Sequence, residues 1–260
     1  MSKYAVLIIT ASVGSITCLS PCLAHDREVV VGDAIRMNQQ SFIATAKGMT
    51  ADPQLIYGAT GVITCGNIRA TGQLTVRGDE VTSAAHTFFD EAGNPRAAQG
   101  NCQFSLTVRG VVQSARILPG PRMASGSTNP YSDGGNHDWA VARLDHVIEG
   151  VKPYGIADAP AVGSVILVVA AGADGERSYG FCKVRDLIGV AGKPREIHTD
   201  CTCADGMSGA AYLTPGPHPK LIGVHVGFRS RDPNARLPYS ATHYTFGTSS
   251  EGDFRRALGY

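Results

Sequence analysis

The chain has 260 residues, with 23 lysines and arginines against 22 aspartates and glutamates, a formal charge of +1. That balance excludes the basic stripe of a nucleic-acid binder, and 43% apolar against 17% charged residues excludes a chain too polar to bury a core. The 31 glycines and 14 prolines predict many tight turns, hence many short strands, in one large domain or two small ones.

The first segment predicts a removable leader. Lys3 is the only charge before His25, the stretch from Tyr4 to Cys18 is apolar or small, and Pro21 and Ala24 follow. This is the pattern of a secretory signal peptide over residues 1–24, cleaved near Ala24. A membrane anchor would reach spanning length only if Ser, Thr and Gly counted as apolar. Pro21 also fits poorly with lipidation of Cys22. The mature protein is expected outside the cytoplasm, secreted or periplasmic, without stable membrane association.

Beyond the leader the chain reads as strand after strand. Alternating or short apolar runs at 59–65, 72–77, 102–109 and 111–118 are bounded mostly by Gly, Asn, Asp or Pro, which predicts strands. Residues 131–136 read as a surface loop. Residues 153–160 read as a linker between two β-rich halves, 25–152 and 153–260. The second half repeats the pattern at 165–171, 179–184, 210–214 and 221–226. One helix closes the chain, with Ser249 or Ser250 as its cap, Glu251 and Asp253 in its first turn, and an apolar face of Phe254, Ala257 and Leu258.

Export makes the five remaining cysteines candidates for disulfides. Cys65–Cys102 and Cys182–Cys201 are the expected bridges, with Cys203 left over, although spacing alone does not fix the connectivity. Zinc held by His198, Cys201 and Cys203 is the weaker reading, because Cys-x-Cys suits a tetrahedral site poorly. No metal and no cofactor are expected.

Three segments carry chemistry. Residues 80–86 end a β-branched run in small residues and then His86. Asp138 opens the run Trp-Ala-Val-Ala-Arg-Leu144. Ser208 lies between Gly206 and Gly209, ahead of an apolar strand. Each is weak alone: a histidine after a strand and an aspartate before one are usually structural. Together they give the order His, Asp, Ser, at sequence separations of 52 and 70. A serine hydroxyl needs an adjacent base, imidazole has a suitable pKa, and a buried carboxylate orients the imidazole. The α/β-hydrolase arrangement differs in order, motif and context.

At these residues the sequence resembles the chymotrypsin-like serine peptidases. Thr-Ser-Ala-Ala-His86 is similar to that family's Thr-Ala-Ala-His, Asp138-Trp-Ala-Val-Ala-Arg-Leu to its Asp-Ile-Ala-Leu-Leu-x-Leu, and Asp205-Gly-Met-Ser-Gly to its Gly-Asp-Ser-Gly-Gly. The details look closest to secreted bacterial branches, including glutamyl endopeptidases. The resemblance spans roughly Gly58 to Leu258. It implies an all-β fold of two six-stranded antiparallel barrels with a short C-terminal helix, acting as a monomer on protein or peptide substrates. His86 would be the general base, Asp138 its orienting acid and Ser208 the nucleophile. The N–H groups of Gly206 and Ser208 would form the oxyanion hole. Asp145 is the rival acid, and His137 and His146 read as surface residues. A catalytically inactive binding module and an esterase on the same fold are the alternative functions.

The departures matter. Met207 stands where many animal members have an aspartate that pairs with a freed N-terminus, so activity is expected not to depend on that switch. Thr202 occupies the position of the acid that attracts Lys or Arg. Gly-Val-His225-Val-Gly resembles the glutamyl endopeptidases' Gly-Ile-His strand and implies an acidic preference through His225. Cys203 stands where those enzymes have Thr. Thr202, Cys203 and His225 are therefore the expected substrate-binding residues.

Overall fold

The computed structural model describes residues 28–45, 52–96, 102–172 and 175–260. The expected leader, residues 1–24, lies outside them. Among the described residues no helix is long and apolar enough to cross a membrane.

The first half holds β3 (Thr60–Cys65), β4 (Ile68–Leu74), β5 (Glu80–Ser83), β6 (Cys102–Val108), β7 (Val111–Arg116), β8 (Met123–Ser125) and β9 (Ala140–Arg143). They form one antiparallel sheet in the order β7-β6-β3-β4-β5-β9-β8. The sheet closes from β7 to β9 where Leu118 N donates to Arg143 O (2.8 Å) and Asp145 N to Arg116 O (2.9 Å), with β8 outside the closure. Six strands thus curl round a core that includes Ile63, Leu74, Val81, Phe104 and Ile117.

The second half holds β11 (Val165–Ala171), β12 (Arg177–Ile188), β13 (Glu196–Thr199), β15 (Ala211–Leu213), β16 (Lys220–Ser230) and β18 (His243–Ser249). The path β16-β15-β11-β12-β13-β18 closes on itself through β16–β18, giving a six-stranded barrel. The unbroken apolar run of β11 has a physical reason. Ile166, Val168 and Ala170 face the second barrel's core, while Leu167 and Val169 face the first. A strand buried on both faces has no polar alternation to show.

Two expectations about organisation change. The linker at 153–160 contains β10 (Gly155–Ile156), which pairs with β16, and Tyr154 is fully buried. The start of the described chain also packs with the second half rather than the first. There β1 (Glu28–Val31) pairs with β14 (Cys203–Ala204) and with β17 (Arg236–Leu237), and β2 (Arg36–Asn38) pairs with β12.

Three helices are present among the described residues, not one. In α1 (Gln39–Thr45) a single buried side chain, Phe42, stacks on Tyr179 at 4.1 Å. In α2 (Pro53–Ile56) Asp52 caps the N-terminus, accepting from Gln54 N. In α3 (Gly252–Ala257) the cap is Glu251, not Ser249 or Ser250. The Ser250 hydroxyl instead donates to Ile222 O (2.9 Å), and that of Ser249 to Glu251 Oε2 (2.8 Å).

Candidate active site

Register brings His86 and Asp138 together across their 52-residue gap. β5 and β9 pair antiparallel with Ser83 opposite Ala140. His86 lies just past the end of β5 and Asp138 just before the start of β9, so both emerge at the same edge. A 3-10 turn over Ala85–Thr87 swings His86 away from the strand, which the small, fully buried Ala84 and Ala85 allow. Asp138 ends a second 3-10 turn, Gly135–His137. Its Oδ2 lies 2.6 Å from His86 Nδ1, and its Oδ1 accepts from His86 N at 2.9 Å. The buried carboxylate thus fixes both the ring and the backbone of one histidine, the arrangement that sets an imidazole's tautomer.

Ser208 sits in the turn between β14 and β15. Gly206 and Gly209 adopt φ of +84° and +79°, the left-handed region that glycine enters at little cost. First-barrel residue Thr71 holds this turn: its N donates to Ser208 O (2.8 Å) and its hydroxyl to Gly206 O (3.0 Å). Met207 N donates to Ala204 O and Gly209 N to His225 O. Among the described residues, the intervening N–H groups of Gly206 and Ser208 donate to no protein acceptor.

His86, Asp138, Gly206 and Ser208 line one cleft of about 370 Å³. The Ser208 hydroxyl and the His86 ring are not hydrogen-bonded to one another; such contacts often tighten only when substrate binds. The rival acid, Asp145, is exposed and bonded to Arg116 N and His146. His137 and His146 are exposed, as expected.

Cys203 and His225 line the same cleft, but Thr202 does not: its hydroxyl donates to Ala34 O at 3.0 Å. His225 Nε2 lies 3.0 Å from Cys203 Sγ and Nδ1 lies 2.9 Å from the Tyr212 hydroxyl. Burial first, and the charge of His86 second, push the His225 pKa down to about 3, so its ring is neutral.

Several cleft residues carry no signal in the sequence, three large side chains among them. Tyr131 lies in the loop expected at 131–136, and its ring centroid lies 5.9 Å from that of His86. Arg229 and Phe246 also line the cleft, the guanidinium lying 4.6 Å above the Phe246 ring and 3.3 Å from Glu196 Oε2. Asp200 is bound to Lys183 N and Arg185, whereas Asp205 lines the cleft. No local pattern marks these residues, because the packing of distant strands and loops decides where they point.

No protein-family model and no curated protein matches the sequence. Solved structures do match. A Glu endopeptidase solved in complex with MPD superposes with a TM-score of 0.63 at 17% identity, covering 89% of this chain and 98% of that one. The fold is that of the chymotrypsin-like serine peptidases. A thermostable serine protease, AL20, from an extremophilic microorganism matches with a TM-score of 0.53 at 15% identity, over 77% and 94% of the two chains. Neuropsin, a serine protease of mouse brain, matches with a TM-score of 0.55 at 15% identity, over 78% and 93%. The chymotrypsin-like framework here carries both expected bridges, Cys65–Cys102 and Cys182–Cys201, with Cys203 in neither. Two disulfides fit an oxidising compartment such as the periplasm or the cell exterior.

Proposed function

We propose that the protein is a secreted serine endopeptidase that cleaves peptide bonds through an acyl-enzyme. The observation that carries this reading is the double hold of Asp138 on His86, in a cleft that Ser208 also lines. Ser208 would attack the scissile carbonyl while His86 takes its proton and later returns it to the leaving amine. Asp138 would keep the ring in the required tautomer. The uncommitted N–H groups of Gly206 and Ser208 would receive the oxyanion, each such donor contributing about 3–4 kcal/mol to the transition state.

A fluorophosphonate probe tests this. It should label the wild type but not Ser208→Ala, and peptide substrates should be turned over. No labelling would leave the binding-module reading; labelling with ester but not peptide turnover would leave an esterase. Asp138→Asn should lower kcat by about four orders of magnitude.

For specificity, we infer a preference for acidic over basic side chains. The uncharged Thr202 lies outside the cleft, whereas Arg229, paired with Glu196 and stacked on Phe246, supplies a cation in it, where the carboxylate-bearing Asp205 is also a lining residue. The neutral His225 would contribute through Cys203. A peptide-library profile without enrichment of Glu or Asp before the cleaved bond would remove this preference. N-terminal sequencing of the exported protein tests cleavage near Ala24.

A further inference from the structure

Residue 207 precedes the nucleophile, and its neighbours Gly206 and Ser208 both line the cleft. Met207 is buried, with 4% of its surface exposed. Its side chain folds back so that its sulfur accepts the backbone N–H of Ala204 at 3.2 Å. Its own N–H donates to Ala204 O, also at 3.2 Å. The turn is therefore closed twice on one residue, once through the backbone and once through the thioether.

Ala204 is in turn tied to the start of the described chain. It lies opposite Glu28 in the β1–β14 ladder, and Cys203 lies opposite Val29. Arg36 returns to the same place, with Nη1 4.0 Å from the Met207 sulfur and Nη2 3.4 Å from Glu28 Oε1. Thr202 adds its bond to Ala34 O. Residues 28–36 thus wrap the segment 202–207, and none of them lines the cleft.

We propose that Met207 is a positioning residue: its thioether locks Ala204, and with it the turn bearing Gly206 and Ser208, onto the N-terminal strand. The inference rests on the serine-peptidase reading. The physical reason is the cost of a buried N–H without an acceptor. Leucine fills a similar volume but accepts nothing, so Met207→Leu leaves the Ala204 N–H unpaired in a buried turn and lets the turn shift. Glutamine has similar reach and restores an acceptor. Displacements of about 1 Å in such a site cost up to about a hundredfold in rate.

The test uses the mature protein, measuring site-resolved amide hydrogen exchange alongside kcat and KM on its best library peptide. Met207→Leu should raise Ala204 exchange at least about tenfold without changing exchange in β11 and β12. It should lower kcat between about tenfold and a hundredfold at unchanged KM, and Met207→Gln should recover most of both losses. Retained Ala204 protection, kcat within about twofold of wild type, or equal losses in the two variants would overturn the proposal. If Met207→Leu does not fold, Arg36→Ala carries the same readouts: smaller losses in the same direction support the proposal and no change overturns it. A wild type that neither cleaves peptides nor accepts the fluorophosphonate overturns the peptidase reading instead, and Ala204 exchange then decides the positioning role alone.

Discussion

The two glycines around Ser208 have different tasks. A Cβ on Gly209 would lie 2.0 Å from Ser83 Oγ and 2.3 Å from Thr71 O, at φ +79°. Both atoms belong to the first barrel, and Ser83 is three residues before His86. A Cβ on Gly206 would meet nothing within 4 Å, at φ +84°. Gly209→Ala should therefore push the Ser208 turn off the first barrel, costing on the order of 3 kcal/mol and most of the fluorophosphonate labelling. Gly206→Ala should cost only the backbone strain, about 1–2 kcal/mol. Urea unfolding of the two variants checks the ranking, and similar losses would show that close approach is not what Gly209 provides. His225 gives a pH prediction at the same scale. Its pKa falls from the usual 6.5 to about 3 in the folded state, so below pH 6.5 the unfolded chain binds a proton that the native protein refuses. That stabilisation is complete above pH 6.5 and is lost as pH falls toward 3, by at most about 1.4 kcal/mol per pH unit. The stability difference between wild type and His225→Gln should narrow by up to about 3 kcal/mol from pH 7 to pH 4. An unchanged difference would mean that His225 titrates normally.

At the scale of elements, both disulfides join neighbouring segments. Cys65 and Cys102 sit opposite one another on β3 and β6, 37 residues apart in sequence. Cys182 on β12 is bridged to Cys201, two residues before β14, at a separation of 19. Loop entropy ranks them closely, at about 4 and about 3 kcal/mol. They should differ in function. The Cys182Ala/Cys201Ala variant should lower the melting temperature and also slow fluorophosphonate labelling, because Cys201 leads directly into the cleft wall at Cys203. The Cys65Ala/Cys102Ala variant should lower the melting temperature with labelling little changed. Reversal of that order would place the rate-sensitive link in the first barrel. Elements also separate what the sequence made legible from what it hid. Val165–Ala171 is legible to the residue because the run is apolar throughout and buried from Ile166 to Ala171. β12 and β16 extend beyond their apolar readings, because most of their outer residues are polar and half-buried or exposed, with Arg177 the buried exception. α1 went unread, since a seven-residue helix with one buried side chain has no periodicity to detect. His86, Asp138 and Ser208 were legible because each sits in a short local pattern. Arg229 and Tyr131 were not, because only the packing of distant strands and loops brings them to the cleft.

Across the whole molecule, contacts between the halves hold the two sides of the cleft together. Thr71 of β4 binds the Ser208 turn, while the Thr248 hydroxyl of β18 donates to Gly135 O beside Asp138. Trp139, the chain's one tryptophan, stacks on Phe254 of α3 at 4.8 Å. A third buried tie is Arg177 on β12, only 6% exposed, which donates to Thr60 O and Gly58 O at 2.8 Å and to Thr107 O at 3.3 Å. All three acceptors lie in the first half. A guanidinium spends its planar fork of donors well on converging carbonyls, and bonds from a charged donor contribute more than neutral ones. Arg177→Met keeps the aliphatic stem but strands buried carbonyls, so it should cost about 3 kcal/mol. Because the halves share these contacts, wild-type urea transitions followed by Trp139 emission and by far-ultraviolet circular dichroism should coincide. In Arg177→Met both midpoints should fall. The two probes should also separate, since Trp139 reports the docking of α3 on the first barrel while the dichroism averages over both. An unchanged midpoint would mean that Arg177 is not a principal tie. A lower midpoint with the transitions still coincident would assign the coupling to the remaining contacts, chiefly those of Thr71 and Thr248 that hold the segments bearing Ser208 and Asp138.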